Sequence, residues 1–147
     1  MLQDIIDSAN EVGVSTFITN SQNRIETQLN SLTKETDLPI LLVSWDIDVS
    51  LNFNLNGFLD NPQASIVALL VSKPEDLEKE SRETTAEEMG QLYTQFLQNL
   101  NQRLSKYQKQ AQLPITDAGY TVVPKHGAGQ HSGVLGRFKM RIDIKNC

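Results

Sequence analysis

Eight consecutive odd-numbered positions of this chain are apolar: Leu41, Val43, Trp45, Ile47, Val49, Leu51, Phe53 and Leu55. From Ser44 to Asn54 the even positions hold Ser44, Asp46, Asp48, Ser50, Asn52 and Asn54. A period of two kept over residues 41–55 predicts a β-strand with one apolar and one polar face. An ordinary strand runs about 5–6 residues, whereas this one, at about 3.3 Å per residue, reaches about 50 Å. A compact chain of 147 residues has a radius of gyration of about 15 Å, hence a diameter of about 40 Å. The strand must therefore bend sharply or project. A projecting ribbon that is apolar on one face needs a cover from outside its own domain, which points to assembly rather than catalysis.

The rest of the chain supplies the body from which such a ribbon would project. Leu2, Ile5, Ile6 and Ala9 follow helical spacing up to Gly13, and Ile25, Leu29 and Leu32 predict a second helical stretch near residues 21–34. Val14 to Ile18 fits either helix or strand. Asp37-Leu38-Pro39 closes this part, because the residue before proline is pushed out of the helical region. After the long strand, Asn56-Gly57 and Asp60-Asn61-Pro62 are turn chemistry. The run Ile66-Val67-Ala68-Leu69-Leu70-Val71 then predicts a strand buried on both faces, paired antiparallel with the first and stopped by Lys73-Pro74.

From Lys73 to Glu88 the chain holds 7 acidic and 3 basic residues, the composition of a solvated linker entering a helix. Thr84 and Thr85, each three residues before Glu87 and Glu88, are capping-box candidates. Met89, Leu92, Tyr93, Phe96, Leu97, Leu100, Leu104 and Tyr107 form one apolar helix face. Gln91, Gln95, Gln98 and Gln102 form the other. Such a helix is expected to lie across the sheet as core. Leu113-Pro114 ends it. Tyr120, Val122 and Val123 suggest a third strand, and Lys125 to Gly133 a glycine-rich loop. In the last strand Val134, Phe138, Met140, Ile142 and Ile144 share a face interrupted at Gly136, opposite Arg137, Lys139, Arg141, Asp143 and Lys145. The expected fold is one α+β domain over 1–147. Its antiparallel sheet carries a long protruding hairpin and is packed by one long helix and an N-terminal helical region.

Charge divides along the chain. Residues 1–88 carry 16 acidic and 5 basic side chains, and residues 89–147 carry 2 acidic and 8 basic. Solvated faces account for such charges, and so does contact between the acidic part of one copy and the basic part of another, which would fix a register between subunits. A head-to-tail contact of that kind closes into a ring when the rotation allows. The overall acidity argues against a sequence-reading nucleic-acid binder. With Cys147 as the single cysteine, no disulfide framework is expected. No segment approaches the about twenty apolar residues of a membrane span. The start Met1-Leu2-Gln3-Asp4 lacks the features of a signal peptide, so an intracellular protein, or one assembled inside a cell, is expected.

Catalytic chemistry finds little support. Asp46 and Asp48 share a strand face about 6–7 Å apart, a spacing open to paired carboxylates, but their neighbours in the row are Ser44, Ser50, Asn52 and Asn54. A polar, mildly acidic surface is the better reading. His126 and His131 flank the glycine loop, and zinc would need further ligands, with Cys147 the one thiolate candidate. Gly127-Ala128-Gly129 has neither dinucleotide nor P-loop spacing, and His131-Ser132 lacks a nucleophile-elbow context. No enzyme, cofactor or metal is expected. Arg137, Lys139, Arg141 and Lys145 form a basic row, read either as a charged edge that discourages aggregation or as a contact for an acidic neighbour. No aromatic residues interleave with it for nucleic-acid stacking.

The chain as a whole resembles the tail-completion and head-to-tail connector proteins of tailed bacteriophages, with their tail-terminator-like fold. The resemblance rests on the N-terminal helix and the approach Leu38-Pro39-Ile40-Leu41-Leu42-Val43 to a long hairpin. It continues through the 85–107 helix and Gly133-Val134-Leu135-Gly136-Arg137-Phe138-Lys139-Met140 at the close of the sheet. The stretch from Glu87-Glu88-Met89 through Phe96-Leu97-Gln98-Asn99-Leu100 is similar to small neck or tail proteins of phages with Bacteroidetes hosts. The resemblance implies a virion structural protein without catalytic residues. It would form a homomeric ring, often sixfold or twelvefold, around a channel through which DNA passes without sequence-specific binding. Such rings join portal or neck to tail, or cap the tail tube, and are assembled in the host cytoplasm.

On that reading Leu51, Phe53, Leu55, Phe58, Arg137, Lys139 and Arg141 are expected at subunit interfaces. Asp46, Asp48, Ser50, Asn52 and Asn54 are expected towards the channel, where an acidic surface would not grip DNA. The other reading is a small cytoplasmic interaction module, a dimeric adaptor or chaperone, which predicts a closed dimer and a soluble partner.

Overall fold

The computed structural model describes residues 2–19, 39–74, 76, 78–106, 115–126 and 131–141, and at 19, 45–47, 61 and 124–126 the backbone alone. The first helix, α1 (Leu2–Glu11), buries Ile5, Ser8 and Ala9. It ends where Gly13 takes φ +78°, a left-handed conformation that costs glycine nothing. The Val14 amide donates back to the Ala9 carbonyl at 3.0 Å. The chain then enters β1 (Ser15–Thr19), which resolves the ambiguous stretch as a strand, as its β-branched and aromatic residues Thr16, Phe17, Ile18 and Thr19 favour. Strand β1 pairs in parallel with β2 (Ile40–Phe53), from Ser15 opposite Ile40 to Thr19 opposite Ser44. The sheet is therefore mixed, and not antiparallel throughout as the sequence suggested.

Strand β2 turns into β3 (Leu59–Ser72), its antiparallel partner. The described sheet runs β1-β2-β3-β5-β4, where β4 is Ile115–His126 and β5 is His131–Arg141. The expected helix near 21–34, Tyr107, Leu113-Pro114, Gly127-Ala128-Gly129 and the last-strand residues Ile142 and Ile144 lie outside the described residues. Asn61 and Pro62 are strand rather than turn residues. They sit at a register irregularity of β3, one of the few places a sheet accepts proline. His131 and Ser132 belong to β5 rather than to the glycine loop.

The long helix α2 (Lys79–Ser105) starts earlier than expected and takes in most of the presumed linker. Thr84 and Thr85 lie inside it, so neither capping box is used, and Glu78 at the N-cap makes no side-chain capping bond. Instead Asp76 Oδ1 accepts the Glu78 amide at 2.9 Å. Glu80 stands in the first turn, where negative charge meets the positive end of the helix dipole. One face of α2 buries Ala86, Met89, Gly90, Tyr93, Phe96, Leu100 and Leu104. Of these, Met89, Tyr93, Phe96, Leu100 and Leu104 pack with Ile5 and Ala9 of α1 and with Leu41, Val43, Ile66, Ala68, Leu70, Val134, Phe138 and Met140 of the sheet. Helices α1 and α2 thus cover one face of the sheet, the helix face. On the opposite face Ile40, Leu42, Leu69 and Val71 form a second buried cluster, beside buried Ser44.

Register decides where every hairpin side chain points. Val43 stands opposite Ala68 and Ser44 opposite Val67, but Asp48 stands opposite Ser65 and Val49 opposite Ala64. Strand β2 thus carries two residues more than β3 across this irregularity. Two extra residues preserve the alternation, so Val49 stays on the helix face with Ala64. Farther out, Ser50 pairs with Gln63 but Asn52 with Asp60, one extra residue on the β3 side. That single residue reverses the alternation of β3 and brings Leu59 opposite Phe53 on the apolar side of the ribbon.

Candidate functional site

Beyond residue 48 the hairpin leaves the helix layer. Leu41 and Val43 are buried in the core, but Val49, Leu51 and Phe53 of the same odd-numbered row are about half to two-thirds exposed, at 49%, 53% and 65%. Leu59 joins them from β3, and Leu55 and Phe58 stand exposed at the tip. Scattered exposed apolar residues are ordinary, but a contiguous run of large ones marks an interaction surface.

The tip is built rather than loose. The Asn54 amide donates to the Phe58 carbonyl at 2.8 Å, and the Gly57 amide to the Asn54 carbonyl at 3.0 Å. Asn54 Oδ1 accepts the amides of Asn56 and Phe58, both at 3.0 Å. Gly57 takes φ +81°, a conformation glycine reaches without strain. Asn54, expected towards a channel, therefore spends its side-chain oxygen on the turn.

The opposite face of the ribbon is polar. Asp48 is exposed and Ser50 half-buried. Through the register, Asp48, Ser65 and Lys139 form one row across β2, β3 and β5, and Ser50, Gln63 and Arg141 the next. Arg137 lies on the same face opposite Val67. The polar hairpin row and the basic β5 row thus share a face, two strands or about 10 Å apart. Leu51 and Phe53 lie on the other face. The residues expected together at subunit interfaces are therefore divided between the two sides of the sheet. Lys139 Nζ approaches Asp117 Oδ2 at 3.3 Å. The side chain of Asp46 lies outside the described residues.

A second apolar surface, not singled out by the sequence, lies at the far edge of the described sheet. Tyr120 and Val122 of β4 pair with Gly136 and Val134 and so lie on the helix face, where they remain 44% and 49% exposed. Tyr120 meets Tyr93 edge-on, with ring centroids 6.0 Å apart. The β4 edge is irregular, with register shifts between Thr116 and Gly119 and between Val123 and His126, and Asp117 has φ +51°. Such irregularities blunt an edge against strand addition while leaving its side chains available.

His126 and His131 are register partners across β4 and β5, and His131 is buried. Among the described residues no three His, Cys, Asp or Glu side chains gather as metal ligands, and no helix is long and apolar enough to cross a membrane. A depression lined by Glu11, Asn99, Gln102, Arg103 and Lys106 holds about 140 Å³, below the roughly 300 Å³ at which small-molecule pockets begin. No protein-family model matches the chain, and neither does any curated protein.

Proposed function

We infer that this protein is a structural subunit of a homomeric ring at the head–tail junction of a tailed bacteriophage, acting as a neck, connector or tail-terminator component. The observation that carries the reading is the apolar row Val49, Leu51, Phe53 and Leu59, exposed on a hairpin that extends past the helices covering the same face. A ring supplies the missing cover from a neighbouring copy. The sequence resemblance to connector proteins supports a virion as the setting of the assembly, and the division of charge along the chain supports ordered contacts between copies. On this reading the opposite face, with Asp48, Ser50 and the row Arg137, Lys139 and Arg141, meets solvent or the channel. Its two signs of charge let DNA slide past without a uniform basic grip.

Light scattering on the purified protein, with electron microscopy of the protein and of phage particles that contain it, tests the reading. Rings in either sample support it. A monomer in solution together with particles lacking a ring of this chain overturns it. A closed dimer that binds a soluble partner favours the interaction module.

A further inference from the structure

We propose that Asn56 is a site of spontaneous covalent modification, deamidation through a cyclic imide, and that the side chain of Asn54 governs its rate. The inference is independent of the ring reading. Asn56 is the one asparagine of the chain followed by glycine, and both residues are exposed at the hairpin tip. Gly57 brings no side chain beside its backbone nitrogen, so this nitrogen can approach the Asn56 side-chain carbonyl without hindrance. Apart from its chain neighbours, no described atom lies within 4 Å of the place a Cβ would occupy at Gly57, which leaves room for the ring. When the Gly57 nitrogen attacks Asn56 Cγ, the new C–N bond closes the imide. The Cγ–Nδ2 bond breaks, and Nδ2 leaves as ammonia with the proton that the Gly57 amide gives up. Water then opens the imide at either carbonyl. One opening leaves aspartate at position 56, and the other routes the main chain through Cγ and leaves isoaspartate.

The turn that presents these residues also restrains them. The Gly57 amide, the attacking group, donates to the Asn54 carbonyl at 3.0 Å. The amides on either side, those of Asn56 and Phe58, donate to Asn54 Oδ1, both at 3.0 Å. Attack requires the Gly57 amide to leave its acceptor, and the two bonds to Asn54 Oδ1 oppose that movement. Asn54 is thus a positioning residue, which sets how often the tip opens. Asn52 and Asn54 lie on the same exposed hairpin but precede Phe53 and Leu55, whose side chains crowd the attacking nitrogen, so they serve as internal comparisons. Either product adds a negative charge to residues 45–62, which carry Asp46, Asp48 and Asp60 and no basic residue. Isoaspartate also lengthens the main chain between β2 and β3 by a methylene.

Incubation of the full chain at neutral pH, followed by peptide mass spectrometry, reads the replacement of NH2 by OH at each asparagine. Enzymatic methylation of isoaspartate distinguishes the two products. Asn56 should convert faster than Asn52 and Asn54 in the folded chain. Unfolding in urea should speed conversion at Asn56. Asn54→Ala should speed it about tenfold in the folded chain, with circular dichroism unchanged. Conversion at Asn56 no faster than at Asn52 in the folded wild type overturns the inference. So does an Asn54→Ala chain that converts at the wild-type rate, or a folded wild type that converts as fast as the unfolded one, because either result removes the restraint. None of these outcomes bears on ring formation, which light scattering and electron microscopy decide separately.

Discussion

The ring of Tyr93 occupies the space that Gly136 leaves in the sheet: a Cβ on Gly136 would collide with the ring and hydroxyl of Tyr93. The missing side chain in the apolar row of β5 is thus the socket for the central aromatic of α2. Phe96 lies tilted beside Tyr93, with ring centroids 6.0 Å apart, and meets Phe138 edge-on at 6.3 Å.

Gly136→Ala should therefore destabilise the fold by about 1–3 kcal/mol, as overpacking of a filled core does. Thermal unfolding checks this. Tyr93→Leu in the same chain removes the colliding ring, so the double variant should lose less than the sum of the single losses. Strict additivity would mean that the two residues do not share the space.

The Tyr93 hydroxyl is buried without a hydrogen-bond partner among the described residues. Burial raises its pKa well above the ordinary 10.0, while the charge of Arg137 pulls the other way. The unfolded chain releases this proton near pH 10 and the folded chain holds it to higher pH. The associated stability is complete below pH 10 and is lost as pH rises above it, at up to about 1.4 kcal/mol per pH unit. Tyr93→Phe should flatten the decline of melting temperature between pH 9 and 11. Near pH 7 it should be neutral or stabilising by up to about 1 kcal/mol, because it removes an unpaired buried group.

Asn54→Ala removes the acceptor of two tip amides, those of Asn56 and Phe58. Hydrogen exchange should report faster opening at these two amides, by about tenfold for a loss of about 1 kcal/mol or somewhat more. Core amides such as Leu69 should exchange as before. Uniform acceleration through the core would show that the tip is not an independent unit.

Arg103 of α2 bridges to both Asp7 and Glu11 of α1, with the Asp7 contact at 3.8 Å. These carboxylates are 40% and 48% exposed, so the network is screened. Arg103→Gln should cost about 0.5–1 kcal/mol at low salt and less at high salt. Chemical denaturation at two ionic strengths measures the difference.

The elements were legible where one physical rule dominated. The alternation of residues 41–55 gave β2, and the spacing from Met89 to Leu104 gave the buried stripe of α2. The start of α2 was not legible, because glutamates suit a solvated linker and a helix N-terminus equally well. The β-branched and aromatic residues of Val14–Ile18 favour a strand, but its formation depended on a parallel partner, Ile40–Ser44, which lies 25 residues further on. The apolar ribbon of the candidate site could be read from its period. The second exposed apolar pair could not, because Tyr120 and Val122 look like ordinary strand residues until the position of β4 at the edge of the described sheet leaves them half uncovered. The shared face of the polar and basic rows also emerged only from pairing across β3.

The extra residues between Ser44 and Asp48 impose a counting rule on the chain. Removing one residue there, with the alternation of β2 otherwise strict, would turn the outer part of β2 over against β3, whose faces are held by β5. Val49, Leu51 and Phe53 would move to the side of Lys139 and Arg141, and Asp48 and Ser50 would take the place of the apolar row. Removing two would make the pairing regular and keep its faces. Length at this point can therefore change only in pairs if the same side of the ribbon is to meet its partner, even though neither residue of a pair need touch that partner.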